Sequence, residues 1–390
     1  MFNDGNAFLQ DRLYLNDGRG NFTRSTSAVP NETYAGSCVE AFDVDGDNDV
    51  DLFVGTRFVP GQYPLSAANL LLINDGKGKF SDGIIPTAHV LQKTGMICDA
   101  KATDINKDGK TDLLVAGEWT SIRVFVNTNG KLVEETSKWT IPSIDTVRTS
   151  SPSSGWWNRI EADDLDGDGD TDFIVGNYGL NNQFNVSASH PAMLVYNDFN
   201  QDGQVDPFFC YFIGDKSYPY ASRDEALGQV NTLRVRFPDY TTYANATLEN
   251  IFAKTELGTA TTLYADNLKT LMLENKGDRF EAKELPIQAQ YSPVYAIAIH
   301  DVDADGDKDV ILGGNETMTR VRVGKSDANE GVLLLNDGKG NFAYVDQLKS
   351  GLNLKGDVRS LEVISSNGKT SLIVGEIGQP VKSYVVSSKQ

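Results

Sequence analysis

The chain has 390 residues, of which 40% are hydrophobic, and a formal charge of −19. That length can bury a large core, and taken alone the acidity would repel nucleic acid and anionic membranes, although carboxylates committed to metal sites would make it a poor guide to partners. Cys38, Cys98 and Cys210 are scattered without C-x-x-C spacing, which excludes a zinc ribbon or a disulfide framework, and no run of eighteen apolar residues predicts membrane insertion.

In chain order, RLYLNDGRGNF at Arg12 reads as a hairpin: a Leu-rich strand, Asn-Asp-Gly turn chemistry, then a strand opened by an aromatic. The phrase returns as LLLINDGKGKF at Leu70, RVFVNTNGKL at Arg123, TLMLENKGDRF at Thr270 and VLLLNDGKGNF at Val332. A second phrase, acidic at alternate positions and then apolar, occurs five times. It reads DVDGDNDVDLFVG from Asp43, DINKDGKTDLLVAG from Asp104, DLDGDGDTDFIVG from Asp164, DFNQDGQVDPFFCYF from Asp198 and DVDADGDKDVILGG from Asp301.

Numbered from its first Asp, each of these loops carries side-chain oxygens at positions 1, 3, 5 and 9 and Gly or Asn at position 6. Carboxylates so close together repel unless a hard cation sits among them. Ca²⁺ takes roughly six to eight oxygens, one of them a backbone carbonyl, here expected at position 7. The predicted metal-binding residues are therefore Asp43, Asp45, Asp47, Asp49 and Asp51; Asp104, Asn106, Asp108, Lys110 and Asp112; Asp164, Asp166, Asp168, Asp170 and Asp172; Asp198, Asn200, Asp202, Gln204 and Asp206; and Asp301, Asp303, Asp305, Asp307 and Asp309. About five Ca²⁺ per chain follow, and much of the acidity belongs to these loops rather than to a partner surface. Solvated Asp-Gly turns would explain one such loop, but not one grammar repeated five times. EF-hand modules are set aside, because strands rather than helices follow the loops and no Glu stands at position 12.

Asp43 to Asp104 is 61 residues and Asp104 to Asp164 is 60, and a degenerate repeat, SSNGKTSLIVG, follows the Asp301 loop at a similar interval. A period near 60 with four short strands predicts an all-β fold, a β-propeller of four-stranded blades with calcium loops between strands A and B. The whole chain, 1–390, reads as one such domain. The longer interval from Asp164 to Asp301 places an insertion at 177–262, with its own calcium loop and two short helices. Ser222 to Glu225 reads as a capping box, Ala226, Val230, Leu233 and Phe237 fall at helical spacing, and 240–252 reads as the second helix.

The acidic loop, the FVG-type strand and the NDGKGNF hairpin resemble the FG-GAP or VCBS repeats of integrin-like calcium-binding propellers. GTRFVPGQYPLSAANLLLINDGKGKF, SGWWNRIEADDLDGDGDTDFIVGNYGLN and YPYASRDEALGQVNTLRVRF further resemble the bacterial VCBS-repeat proteins associated with an ASPIC/UnbV domain. That resemblance implies seven blades in the intact protein, of which this chain holds about five and a half, together with other domains. The competing expectation is a complete five-bladed ring, in which residues 8–27 complete the blade begun by 359–386. Met1 is followed by FNDGNAF rather than an export signal, and calcium loops suit a calcium-rich compartment, so the expectation is an exported, cell-surface or periplasmic bacterial protein whose beginning lies outside this chain.

Strands alternate in direction, so the calcium turns share one face and the long connections share the other. On that second face Arg57, Tyr63, Glu118, Trp119, Trp156, Trp157, Arg159, Asn177 and Asn315 are the candidate ligand-binding residues for a carbohydrate or protein, with aromatics to stack and polar groups to read hydroxyls or amides. The tryptophans serve equally well as fillers between blades. His89, His190 and His300 are the only histidines, and no H-E-x-x-H or G-x-S-x-G phrase occurs. The expectation is a non-catalytic binding or adhesion propeller. The alternative is a polysaccharide lyase or hydrolase on the same scaffold, with Arg320 and Arg322 beside Asn315 as its nearest candidates.

Overall fold

The computed structural model describes residues 7–83, 89–139 and 154–386. Strand outweighs helix by 41% to 11%, and the strands form separate antiparallel sheets taken largely in chain order. Sheet I comprises Gly36–Phe42, Asp51–Thr56, Leu70–Asn74 and Phe80–Asp82. Sheet II comprises Met96–Thr103, Asp112–Ser121, Arg123–Asn127 and Leu132–Glu134, with Ser154–Trp156 paired to its long second strand. Sheet III is Arg159–Asp163, Asp172–Gly176, Leu271–Asn275 and Phe280–Glu284, and sheet IV is Val294–His300, Asp309–Gly314, Val332–Asn336 and Phe342–Val345. Sheet V has three strands, Val358–Ser366, Lys369–Glu376 and Lys382–Val386.

In sheets I to IV an apolar run follows the ninth Asp in the second strand because both faces of that strand are covered. Side chains alternate across a strand. Leu113 and Val115 therefore enter the core shared with sheet I, alongside Phe53 and Leu71, while Leu114 and Ala116 enter the core shared with sheet III, alongside Trp157 and Phe173. The rule repeats downstream: Ile174 and Val310 lie between sheets III and IV, and Ile311 packs with Leu361 and Leu372 of sheet V. The first strands of sheets I to V pack against one another in series, and among the described residues the series does not close into a ring.

Two expectations change. Tyr14–Asn16 and Phe22–Arg24 pair only with each other, so residues 8–27 do not complete sheet V. The segment between the second and third strands of sheet III holds a further sheet, Ala192–Asn197, Asp206–Ile213, Lys216–Pro219 and Thr261–Ala265, and five short helices rather than two: Arg223–Gln229, Leu233–Arg236, Tyr240–Tyr243, Leu248–Ile251 and Lys254–Leu257. The capping box at Ser222 and Glu225 is present. The expected second helix is divided by fresh starts at Asp239, whose side chain accepts the Thr242 amide, and at Thr247, whose amide donates to the Asn250 side chain. Ala226, Val230, Leu233 and Phe237 do bury one face, against Phe208 and Cys210 of the inserted sheet.

Candidate functional site

The five acidic loops share one backbone form. Position 6 has positive φ in every loop: Asn48, Gly109, Gly169, Gly203 and Gly306. Position 4 does too, and there Lys107, Gln201 and Ala304 take φ of 58°, 61° and 66° without being glycine, a feature that composition alone does not betray. The first Asp accepts two amides of its own loop, as Asp164 does from Gly167 and Gly169 at 2.8 and 3.0 Å.

Position 9 is buried and does the most. One oxygen of each ninth Asp accepts the amide of position 2: Val44 to Asp51, Ile105 to Asp112, Leu165 to Asp172, Phe199 to Asp206 and Val302 to Asp309, all at 2.8 to 3.0 Å. In sheets I to IV the other oxygen accepts the amide of the Asn that ends the third strand: Asn74, Asn127, Asn275 and Asn336 at 2.7 to 3.0 Å.

Three of these asparagines also join consecutive sheets. Asn127 Nδ2 donates to the carbonyl of Val44, Asn275 Nδ2 to that of Ile105 and Asn336 Nδ2 to that of Leu165, at 2.8, 2.9 and 2.7 Å. One hydrogen-bonded line therefore runs from Asp51 through Asp112 and Asp172 to Asp309. The role of this Asn is not evident from local pattern, although it is the shared Asn of every hairpin phrase.

Carboxylate oxygens of Asp43, Asp45 and Asp51, of Asp164, Asp166 and Asp172, and of Asp301, Asp303 and Asp309 lie within 4.8 Å of one another. These are positions 1, 3 and 9 of the three loops with Asp at position 3. The position 5 residues Asp47, Asp168 and Asp305 stand outside these triads. In the other two loops the Oδ1 atoms of Asn106 and Asn200 accept from Asp108 and Asp202 at 2.9 Å. At position 7, Asp170 pairs with Lys107. Burial raises the carboxyls of Asp51, Asp206 and Asp309, and pushes those of Asp112 and Asp172 up to about 6. Three converging carboxylates with desolvated charge are a donor set suited to a hard cation, which would supply the missing compensation.

At the opposite ends of the strands the nine candidate ligand residues separate. Arg57 pairs with Glu118. Arg159 pairs with Glu161 at 2.6 Å and reaches Asp99 at 3.5 Å. Trp119 Nε1 donates to the Tyr63 hydroxyl at 2.9 Å. Trp119 is buried, and with Trp156 it meets Phe209 of the inserted sheet edge-on. Three residues are corrected outright, because no ligand reaches a side chain enclosed by protein. Trp157 is core filler between sheets II and III. Asn177 is buried and donates to the carbonyls of Asn267 and Lys269, and Asn315 is buried and donates to those of Asn329, Lys355 and Gly356. Arg320 and Arg322 meet Glu225 rather than an acidic triad.

A β-rich repeat protein with Asp-lined loops is the class these features define. A family model described as FG-GAP-like repeat matches residues 2–54 and 104–175, so these two segments are similar to FG-GAP-like repeats. A search of curated protein sequences finds no match. Among solved structures, the chain is similar to the V. cholerae biofilm matrix protein Bap1, at 12% identity over 95% of this chain and 79% of that one, with a TM-score of 0.26. It is also similar to BBS1N in complex with ARL6DN, soaked with lead, at 10% identity over 94% and 95% of the two chains, with a TM-score of 0.29. Likenesses at these scores carry no argument about function. Among the described residues, no helix is long and apolar enough to cross a membrane.

Proposed function

We propose that the chain is a calcium-stabilised, non-catalytic β-propeller on an exported bacterial protein, whose binding face lies opposite its calcium loops. The observation that carries this reading is the repeated role of the ninth Asp. The same carboxylate that joins each triad also accepts two buried amides, so a cation held there acts directly on the hydrogen bonds that tie the strands together. The FG-GAP-like repeats support calcium as that cation, with the four-stranded sheets as blades and the Asp104 and Asp198 loops as further sites in which Asn replaces one carboxylate.

The opposite face supports a binding role. Trp156 pairs in register with Glu118, the partner of Arg57. The half-buried Arg57, Glu118 and Trp156, with Tyr63 bonded to Trp119, bring charged and aromatic groups together there, which favours a glycan or a peptide as ligand.

Equilibrium dialysis followed by metal analysis tests the reading. At least three Ca²⁺ per chain are expected, with one lost in an Asp164→Asn/Asp166→Asn variant. A folded chain that retains no calcium refutes it.

A further inference from the structure

Two Arg-Val-Arg tripeptides, Arg234-Val235-Arg236 and Arg320-Val321-Arg322, come from distant parts of the chain and meet at one helix start. The first forms the helix Leu233–Arg236, and the second lies on a turn closed by the bridge between Glu316 and Ser326. Arg320 and Arg322 pair with the two oxygens of Glu225 at 3.2 and 3.1 Å, while Arg234 acts on the adjacent Asp224. Both valines project into solvent, Val235 at 91% and Val321 at 100% exposure, and Met318 on the same turn is 80% exposed. A single exposed aliphatic is ordinary. Two cation-flanked valines, on elements whose arginines meet one pair of carboxylates, with Met318 exposed on the second of those elements, make a cationic surface with apolar points.

We propose that this patch docks an acidic protein segment that carries aliphatic side chains among its carboxylates. The argument is charge complementarity with fixed geometry. In a chain of net charge −19, four arginines, Arg223, Arg234, Arg320 and Arg322, gather around Asp224 and Glu225. Two of them, and Arg236 on the helix of Arg234, are held in place: Arg322 lies over the Tyr220 ring at 4.0 Å, Arg236 donates to the carbonyls of Asn250 and Ile251, and Arg223 donates to those of Phe237 and Pro238. A guanidinium held in this way offers its remaining N–H groups to a carboxylate at little entropic cost. The neighbouring valines and Met318 then supply apolar anchors.

Two other occupants fit less well. A sugar stacks best on an aromatic face free of cations, yet Arg322 and Arg223 each occupy one face of Tyr220 and Tyr240. An interfacial membrane site uses Trp, Phe or Leu as its wedge, and neither projecting valine has such a neighbour exposed on its own element.

The test uses the full chain in saturating calcium and a fluorescein-labelled acidic amphipathic helix built from Glu and Leu. Polygalacturonate and phosphatidylcholine/phosphatidylserine vesicles serve as alternative probes. Binding to the peptide is expected to weaken with salt and to fall by about tenfold or more in Val235→Asp/Val321→Asp and in Arg320→Ala/Arg322→Ala, with melting unchanged. The proposal is overturned by equal binding of the variants, by no peptide binding up to about 1 mM, or by a patch-dependent preference for the polysaccharide or the vesicles.

Discussion

Asn275 donates its backbone N–H to the carboxylate of Asp172 across 2.8 Å and 103 residues of sequence. The same carboxylate accepts from Leu165 at 3.0 Å, so one buried side chain closes its own loop and fastens the third strand of sheet III to the second. Asp172→Asn turns an amide NH₂ toward one of these two donors and leaves that donor unpaired. A loss of about 1–3 kcal/mol is expected, read as a lower urea midpoint with unchanged slope in the presence of chelator. An unchanged midpoint rejects this role.

The asparagine link between sheets has its own control. Asn336→Ala removes the buried bond to Leu165 of the preceding sheet's loop and the part-buried bond to Lys308, whereas Asn74→Ala removes only bonds within its own sheet, an exposed one to Val50 and one accepted from the Gly78 amide. The first should cost about 1–3 kcal/mol and the second well under that. Equal losses would mean that the line of bonds between loops adds nothing.

Asp99 is buried beside Arg159, and burial pushes its carboxyl up to about 6 despite that neighbour. Between its ordinary value near 3.8 and about 6, the folded chain holds a proton that the unfolded chain has released. Stability from this group therefore falls as pH rises through that window, by up to about 3 kcal/mol. Asp99→Asn removes the slope. The difference in unfolding free energy between wild type and variant, measured at pH 4 and pH 7, should change by an amount of this order, and parallel profiles contradict it.

Ala304 holds φ of 66° at position 4 of its loop, a conformation that costs an L-residue about 1 kcal/mol. Ala304→Gly is expected to raise stability by about 0.5–1 kcal/mol, measured by urea unfolding at fixed calcium. A destabilised variant would show that the strain lies elsewhere.

Much of this was legible in the text of the chain. The spacing of Asp43, Asp104, Asp164 and Asp301 marks four of the sheets, and positive φ at Asn48 and Gly109 follows from the residue types at position 6. What could not be read depends on tertiary neighbours. Trp157 and Asn177 look like surface chemistry in sequence, but the packing of adjacent sheets encloses them. The inserted sheet was hidden because the strand Thr261–Ala265 pairs with Ala192–Asn197 only after five intervening helical turns, and no local period records that pairing. The bond from Asn336 to Leu165 spans 171 positions, beyond any motif.

The most direct measurement is thermal unfolding of the full chain in millimolar calcium and again in excess chelator. Calcium that binds the folded state through the ninth Asp of several loops should raise the melting temperature by many degrees, since site occupancy at about 100 times Kd adds about 2.7 kcal/mol per site. Identical melting curves would contradict the account, because carboxylates that fasten the strands cannot hold a cation without transmitting its binding energy to the fold.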